Sequence, residues 1–234
     1  MQEKPVCIIP ARGGSKRIPR KNIADFNGKP LISWSIGSAL ESSVFSKVLV
    51  STEDAEISEI AKANGAEIPF VRNSELADDH ATTADVLKDA LQRIPECMHA
   101  CCLYPTAPMI TAKILQKAYE KIVDTEADCV VSVTEFDFHP LRAFRRDDSD
   151  RLAFHWPEHA LTRSQDLPEM VHDAGAFYFF NVKRFIESGK LISKNTIGFQ
   201  LSRMQAVDID TPEDFEFAKV LHRLGQGKFS ELNG

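Results

Sequence analysis

Residues 9–22 read IPARGGSKRIPRKN, and between Ala11 and Asn22 they set Arg12, Lys16, Arg17, Arg20 and Lys21 around Gly13 and Gly14, with no acidic residue. Five of the chain's 28 lysines and arginines thus fall within twelve residues, in a 234-residue chain of formal net charge -6. Glycines let backbone N–H groups converge on one anion, and the surrounding cations neutralise it, so the stretch suits a polyphosphate, a triphosphate above all. The alternative is a solvated basic loop. A second group with chemistry is the pair Asp208 and Asp210. Residues two apart in an extended strand project to one face, with Ile209 turned inward, so both carboxylates can approach one hard cation; Mg²⁺ suits carboxylates plus phosphate oxygens. The alternative is that Asp210 is a turn residue before a helix and Asp208 is solvated.

The elements that must hold these groups follow from hydrophobic patterning. PVCIIPA (5–11), KVLVST (47–52), ACCLYPT (100–106) and CVVSVTEF (129–136) are apolar at consecutive positions, as expected of parallel strands covered on both faces. Between them lie helical stripes: Ile32, Ile36, Ala39 and Leu40; Ile57, Ile60 and Ala61; Val86, Leu87, Ala90, Leu91 and Ile94; Leu115, Ala118 and Ile122. Strand and helix alternate, which predicts an α/β fold with a doubly wound, mostly parallel sheet. GAFYFFNV (175–182) and RMQAVDID (203–210) supply later strands. A last helix starts at Thr211 as cap, with Pro212 in its first turn, Asp214 three residues past the cap, and Phe217, Val220, Leu221 and Leu224 pointing one way. The basic loop therefore leaves the carboxyl edge of the first strand, where doubly wound folds bind ligands. Residues 138–170 break the rhythm with short apolar runs and turn residues, and read as an inserted hairpin or arm within one domain spanning 1–234.

The acidic balance excludes a general nucleic-acid or acidic-membrane surface, since either needs an extended basic face. No apolar run approaches the ~20 residues of a membrane span, and nothing at the amino terminus resembles a signal peptide, so a soluble, cytoplasmic chain is expected. The five cysteines lack a C-x-x-C pair, and Cys7, Cys101, Cys102 and Cys129 lie in apolar runs as small reduced hydrophobes. His99 between Cys97 and Cys101 lacks the second spaced pair a zinc site requires. The loop is neither G-x-x-x-x-G-K-[ST] nor G-x-G-x-x-G, which disfavours a kinase or a dehydrogenase.

What the loop does resemble is the A-R-x-x-S-K-x-x-P-x-K-N signature of the cytidylyltransferases that activate nonulosonic acids, matched by Arg12, Ser15, Lys16, Pro19, Lys21 and Asn22. The resemblance continues in order through VSTED (50–54), RNSELADD (72–79), YPTAP (104–108), RSQDLPE (163–169) and DIDTPED (208–214), nearly the full chain. It implies transfer of CMP from CTP to the anomeric hydroxyl of a nine-carbon 2-keto acid, with pyrophosphate leaving and Mg²⁺ as cofactor. By the same resemblance Arg12 and Lys21 hold phosphates with Ser15 and Lys16 assisting, and Asn22, Arg72 and Thr83 read the nucleotide, although Thr82 aligns as well as Thr83. Arg72 has an alternative as a surface ion pair with Glu75.

The position of Tyr104 lies beside the sugar in such enzymes. Sialic acid enzymes usually carry glutamine there, so Tyr104 and the form HDAGAFYF (172–179) resemble the branch that uses pseudaminic acid; N-acetylneuraminic acid is the alternative. A sugar carboxylate favours arginine, and Arg142 and Arg163 lie in the 138–170 arm, which in relatives crosses to the partner of a homodimer. Each has an alternative as a solvated charge. His172 and Asp173 read as structural, because neighbours in a strand face opposite ways. A reading from another class is a regulatory module that binds nucleotide without turnover, which has no use for Asp208 and Asp210.

Overall fold

The computed structural model describes residues 3–78 and 81–228; Asp79, at the end of the 72–79 match, lies outside them. In chain order come β1 (Val6–Pro10), a ribbon of β2 (Asp25–Phe26) and β3 (Lys29–Pro30), α1 (Leu31–Glu41), β4 (Lys47–Ser51), α2 (Ala55–Ala63) and α3 (Thr83–Gln92). There follow β5 (His99–Leu103), α4 (Ala112–Thr125), β6 (Cys129–Glu135), β7 (Phe144–Arg146), β8 (Leu152–Phe154), β9 (Val171–Asn181), α5 (Val182–Ser188), β10 (Thr196–Gln200) and α6 (Pro212–Lys228).

The main sheet has the order β10-β6-β9-β5-β1-β4, and only β9 runs antiparallel to its neighbours. All four apolar runs are strands of it, all pointing the same way. Their alternate residues face two cores. Cys7, Ile9, Val48, Val50, Cys101 and Leu103 pack against α1, α2 and α4. Val6, Ile8, Leu49, Ala100 and Cys102 pack against α3 and α5. Two-sided burial explains why these strands read as continuous apolar runs rather than alternating ones. The helix starts are local chemistry: Asp54, Thr82 and Thr111 accept backbone N–H groups at the heads of α2, α3 and α4, and Thr82 and Asp85 form a reciprocal capping box. Thr211 and Asp214 do the same for α6.

Two expectations fail. Residues 203–210 are not a strand: after Leu201 N–H meets Val133 C=O at 2.8 Å, Gln205 and Ala206 both donate to Ser202 C=O and turn the chain off the sheet. The edge strand is instead β10, whose half-buried residues and Gly198 carry little strand signal. In α6 the packed side is Phe215, Ala218 and His222; Phe217, Val220 and Leu224 share a face that is exposed. Phe215 and Ala218 join Ile18, Phe26, Leu31 and Ile209 in a third core, which draws 208–210 beside the basic loop although nearly 200 residues separate them in the chain. The cysteines are reduced, and Cys7, Cys101, Cys102 and Cys129 are buried as expected.

Residues 138–170 hold the β7–β8 hairpin and short 3-10 turns, tied by the Arg142 guanidinium donating to Thr162 C=O at 2.8 Å. Phe138 and Leu161 there are 89% and 98% exposed, so the arm covers little of its own apolar surface.

Burial holds two histidines below their ordinary pKa: His99 at the start of β5, and His222 against Trp34 and Phe26, where Asn27 Nδ2 meets its Nδ1 at 3.2 Å. Between its lowered folded value and the unfolded value near 6.5, each binds fewer protons folded than unfolded. Their contribution is therefore whole above about pH 6.5 and is lost as pH falls toward the folded values. We expect the urea midpoint to drop between pH 7.5 and pH 5, and the drop to be smaller in His222→Gln. Equal drops in both proteins would show that His222 does not carry this dependence.

Candidate functional site

The chain leaves β1 with Ala11 N–H bonded to Ser51 C=O at 2.9 Å and enters the basic loop at the carboxyl ends of β1 and β4. Gly13 is needed for close approach: a Cβ there would meet Asp54 Oδ2 at 2.6 Å, and its N–H donates to Glu53 Oε1 at 2.6 Å. Asp54, already the cap of α2, also takes the Arg20 guanidinium in a two-pronged pair, and Glu56 takes its second prong. Arg20, one of the loop cations expected to neutralise phosphate, is thus a strut that fastens the loop to α2. The hydrogen bond between Arg20 and Asp54 is the main cause of both shifts, raising the Arg20 pKa and lowering that of Asp54.

The rest of the loop faces a cleft of about 520 Å³ lined by Arg12, Ser15, Lys16, Arg17, Lys21, Asn22, Arg72, Thr83, Tyr104 and Asp210 among others. The Asn22 side chain, 5% exposed, donates to Arg12 C=O at 2.9 Å, and Arg12 Nη1 donates to Asp78 C=O at 3.0 Å. Lys21 Nζ donates to Ile209 C=O at 2.6 Å and lies 3.7 Å from Asp210 Oδ1, while Arg17 pairs with Asp210 Oδ2 at 2.9 Å. The loop and the 208–210 segment therefore meet at one end of the cleft.

Arg72 is no surface partner of Glu75. It is 4% exposed, donates to Ser51 Oγ at 3.1 Å and to Ser51 C=O, and has Glu53 at 3.9 Å. Burial lowers its pKa and Glu53 opposes that. A buried guanidinium at the cleft wall is a rigid donor for a planar ligand. Thr82 is occupied in the α3 cap, whereas Thr83 lines the cleft, its hydroxyl 2.8 Å from that of Tyr104. Burial pushes the Tyr104 phenol up to about 12.

Asp208 and Asp210 do stand together with Ile209 buried between them, even without a strand. Burial and then the Asp210 charge raise the Asp208 pKa, so the pair repels itself and a cation would relieve it. No group of three or more His, Cys, Asp or Glu suited to a metal occurs among the described residues. Two carboxylates fit a Mg²⁺ that takes its remaining ligands from phosphate and water. Arg142 and Arg163 are not brought to this cleft: Arg142 braces the arm, and Arg163, 78% exposed, pairs with Asp166 at 3.2 Å. His172 does not enter the cleft either; its Nδ1 meets Asp173 C=O at 2.9 Å.

The basic loop, the buried guanidinium and Asp210 thus border one cleft, with Asp208 beside Asp210. The family model for "Cytidylyltransferase" matches residues 6–232. The chain belongs to the cytidylyltransferase family. It is 44% identical, over 94% of its length and 97% of the relative's, to a pseudaminic acid cytidylyltransferase of Campylobacter jejuni. To an N-acylneuraminate cytidylyltransferase of Streptococcus agalactiae it is 32% identical over 91% of its length and 52% of the relative's. Among solved structures, CMP:2-keto-3-deoxy-manno-octonic acid synthetase complexed with CTP superposes with a TM-score of 0.71 at 20% identity, covering 95% of this chain and 99% of that one, and so shares the nucleotidyltransferase fold.

The roles of Glu53 and Asp54 against the loop are not legible in VSTED, because their partners lie 40 and 34 residues away. Nor is the place of Tyr178 beside Tyr104 legible, since it depends on the pairing of β9.

Proposed function

We propose that this cytidylyltransferase transfers CMP from CTP to the anomeric hydroxyl of pseudaminic acid. The observation that carries the reading is the convergence of Arg12, Lys21, buried Arg72 and Asp210 on one cleft, with Asp208 outside its lining but near enough to feel the Asp210 charge, in a chain 44% identical along nearly its whole length to a pseudaminic acid cytidylyltransferase. The sugar hydroxyl oxygen attacks the α-phosphorus, the bond to the bridging oxygen of the β-phosphate breaks, and pyrophosphate leaves while the hydroxyl proton goes to water. No protein nucleophile is required; the protein positions the reactants and stabilises charge.

Arg12, Ser15, Lys16 and Lys21 hold the phosphates, and Asn22, Arg72 and Thr83 read the nucleoside. Asp208 and Asp210 hold Mg²⁺, which when bound neutralises charge on the phosphate oxygens. Tyr104 borders the sugar, and Arg142 and Arg163 reach the sugar carboxylate of a neighbouring copy in a homodimer. The same chemistry on N-acetylneuraminic acid is the second reading, supported by the 32% identity to an N-acylneuraminate enzyme. Tyr104 speaks against it, since a larger ring with one proton to donate stands where sialic acid enzymes usually carry an amide with two.

Pyrophosphate release with CTP, Mg²⁺ and a panel of nonulosonic acids tests both points. We expect kcat/KM for pseudaminic acid to exceed that for N-acetylneuraminic acid by about 10²-fold, and Tyr104→Gln to narrow the gap. Equal or better use of N-acetylneuraminic acid by the wild type would overturn the sugar assignment, and no release with any acid would overturn the transfer itself.

A further inference from the structure

Glu53 does not line the cleft, yet it faces both the basic loop and the buried guanidinium. Its Oε1 accepts the Gly13 N–H of the loop at 2.6 Å. Its Oε2 is buried with no hydrogen-bond partner among the described residues, and Arg72 Nη1 lies 3.9 Å from it. Arg72 is fixed by the end of β4 and the residue after it: its backbone N–H donates to Thr52 C=O at 3.0 Å, its Nε to Ser51 Oγ at 3.1 Å and its Nη2 to Ser51 C=O. Among the described residues Nη1 donates to nothing, and Arg72 borders the cleft.

A guanidinium keeps its charge inside a protein, so a buried one needs a countercharge. A carboxylate in direct contact would supply that charge and consume the donors together. From 3.9 Å, Glu53 supplies the charge and leaves the donors. Burial lowers the Arg72 pKa, and the Glu53 charge is the largest influence opposing it. The Gly13 bond tethers the carboxylate at that distance, because Oε1 is held by the loop. Loop and guanidinium are thereby coupled. With the loop seated, Arg72 has donors to offer; with the loop lifted, Glu53 is free to close on Arg72 and take them.

We propose that Glu53 is a positioning residue that couples the phosphate end of the nucleotide site to the base end: tethered by Gly13 N–H, it neutralises Arg72 at a distance that leaves Nη1 free to donate to the nucleobase. The inference rests on the reading that Arg72 meets the nucleoside. Glu53→Gln is the informative change. Its amide oxygen can keep Gly13 N–H, while its NH₂ turns a donor toward a guanidinium that has lost its countercharge. Arg72 is then poorly held, whereas the phosphates are bound as before or more tightly, since a negative charge beside the loop is gone.

The test is calorimetric titration with CTP and with inorganic tripolyphosphate, without sugar and at one Mg²⁺ concentration, on wild type, Glu53→Gln, Arg72→Gln and the double variant, with a melting curve for each. The ratio of the two affinities reports what the nucleoside adds. We expect Glu53→Gln to lower that ratio about tenfold, the scale of one hydrogen bond from a charged group, with tripolyphosphate unchanged or tighter. Arg72→Gln should lower it as well, and the double variant no further. If Arg72→Gln does not fold, Arg72→Lys, which keeps the charge without the fork, takes its place. A Glu53 that merely braces the loop weakens both ligands alike in Glu53→Gln and leaves the ratio unchanged, which would overturn the inference. So would a Glu53→Gln effect that is undiminished when Arg72 is already replaced. If the Arg72 variant keeps the wild-type ratio, the base does not meet Arg72 and the inference falls with that assignment. Failure of the wild type to bind CTP would instead overturn the proposed function.

Discussion

Asp210→Asn is expected to lower turnover by about 10²- to 10³-fold at saturating CTP, the scale on which loss of one preorganised charge-stabilising group acts, and Asp208→Asn to do the same. The amide keeps the carboxylate's shape and removes its charge, so the fold should persist; the ion pairs of Asp210 are to the loop cations Arg17 and Lys21, and Ile209 between the two aspartates is buried. Burial and then the Asp210 charge raise the Asp208 pKa, a cost that a bound cation would offset. Asp210 also neutralises Arg17 and Lys21 in the free protein. Removing its charge should therefore leave CTP binding without metal intact or tighter, while the metal-dependent part of binding is lost. Turnover against Mg²⁺ concentration, with a melting curve for each variant, checks this. Near wild-type turnover at saturating Mg²⁺ would show that the carboxylate is not a required ligand.

Two inactive subunits are expected to restore each other. Arg142 and Arg163 do not line the cleft of their own chain, so a role for either at the sugar carboxylate requires a second copy. The arm that carries them leaves Phe138 and Leu161 almost fully exposed, as a segment meant to lie on another surface would. Arg163→Ala and Asp208→Asn should each be inactive alone. In a hybrid symmetric dimer, one of the two composite sites combines the intact Asp208 of one chain with the intact Arg163 of the other. Random mixing makes half the dimers hybrid, so about a quarter of wild-type activity returns. Verified hybrids without activity, or a fully active monomer, would exclude the shared site.

The sequence alone determined what local patterning and local chemistry control. Strands covered on both faces appear as unbroken apolar runs because every position is buried, and the caps at Thr211 and Asp214 act within one turn. That residues 12–21 form one basic loop at the edge of the sheet was legible for the same reason, since glycines and cations six to nine residues apart need only one loop to converge. Only the tertiary structure decided the rest. An apolar run does not encode direction, so the antiparallel course of β9 and its bulge at Gly175 emerged only from pairing with β5 and β6. Charge does not encode partners: Asp54 and Glu56 make Arg20 a strut rather than a phosphate ligand, and Ser51 and Glu53 hold Arg72 buried, which removes its alternative as a surface partner of Glu75. The two aspartates stand together as expected, but for a different reason. They face the basic loop because Ile209 and Ile18 share a core beneath α6, a contact between chain segments some 190 residues apart, and not because 203–210 is a strand.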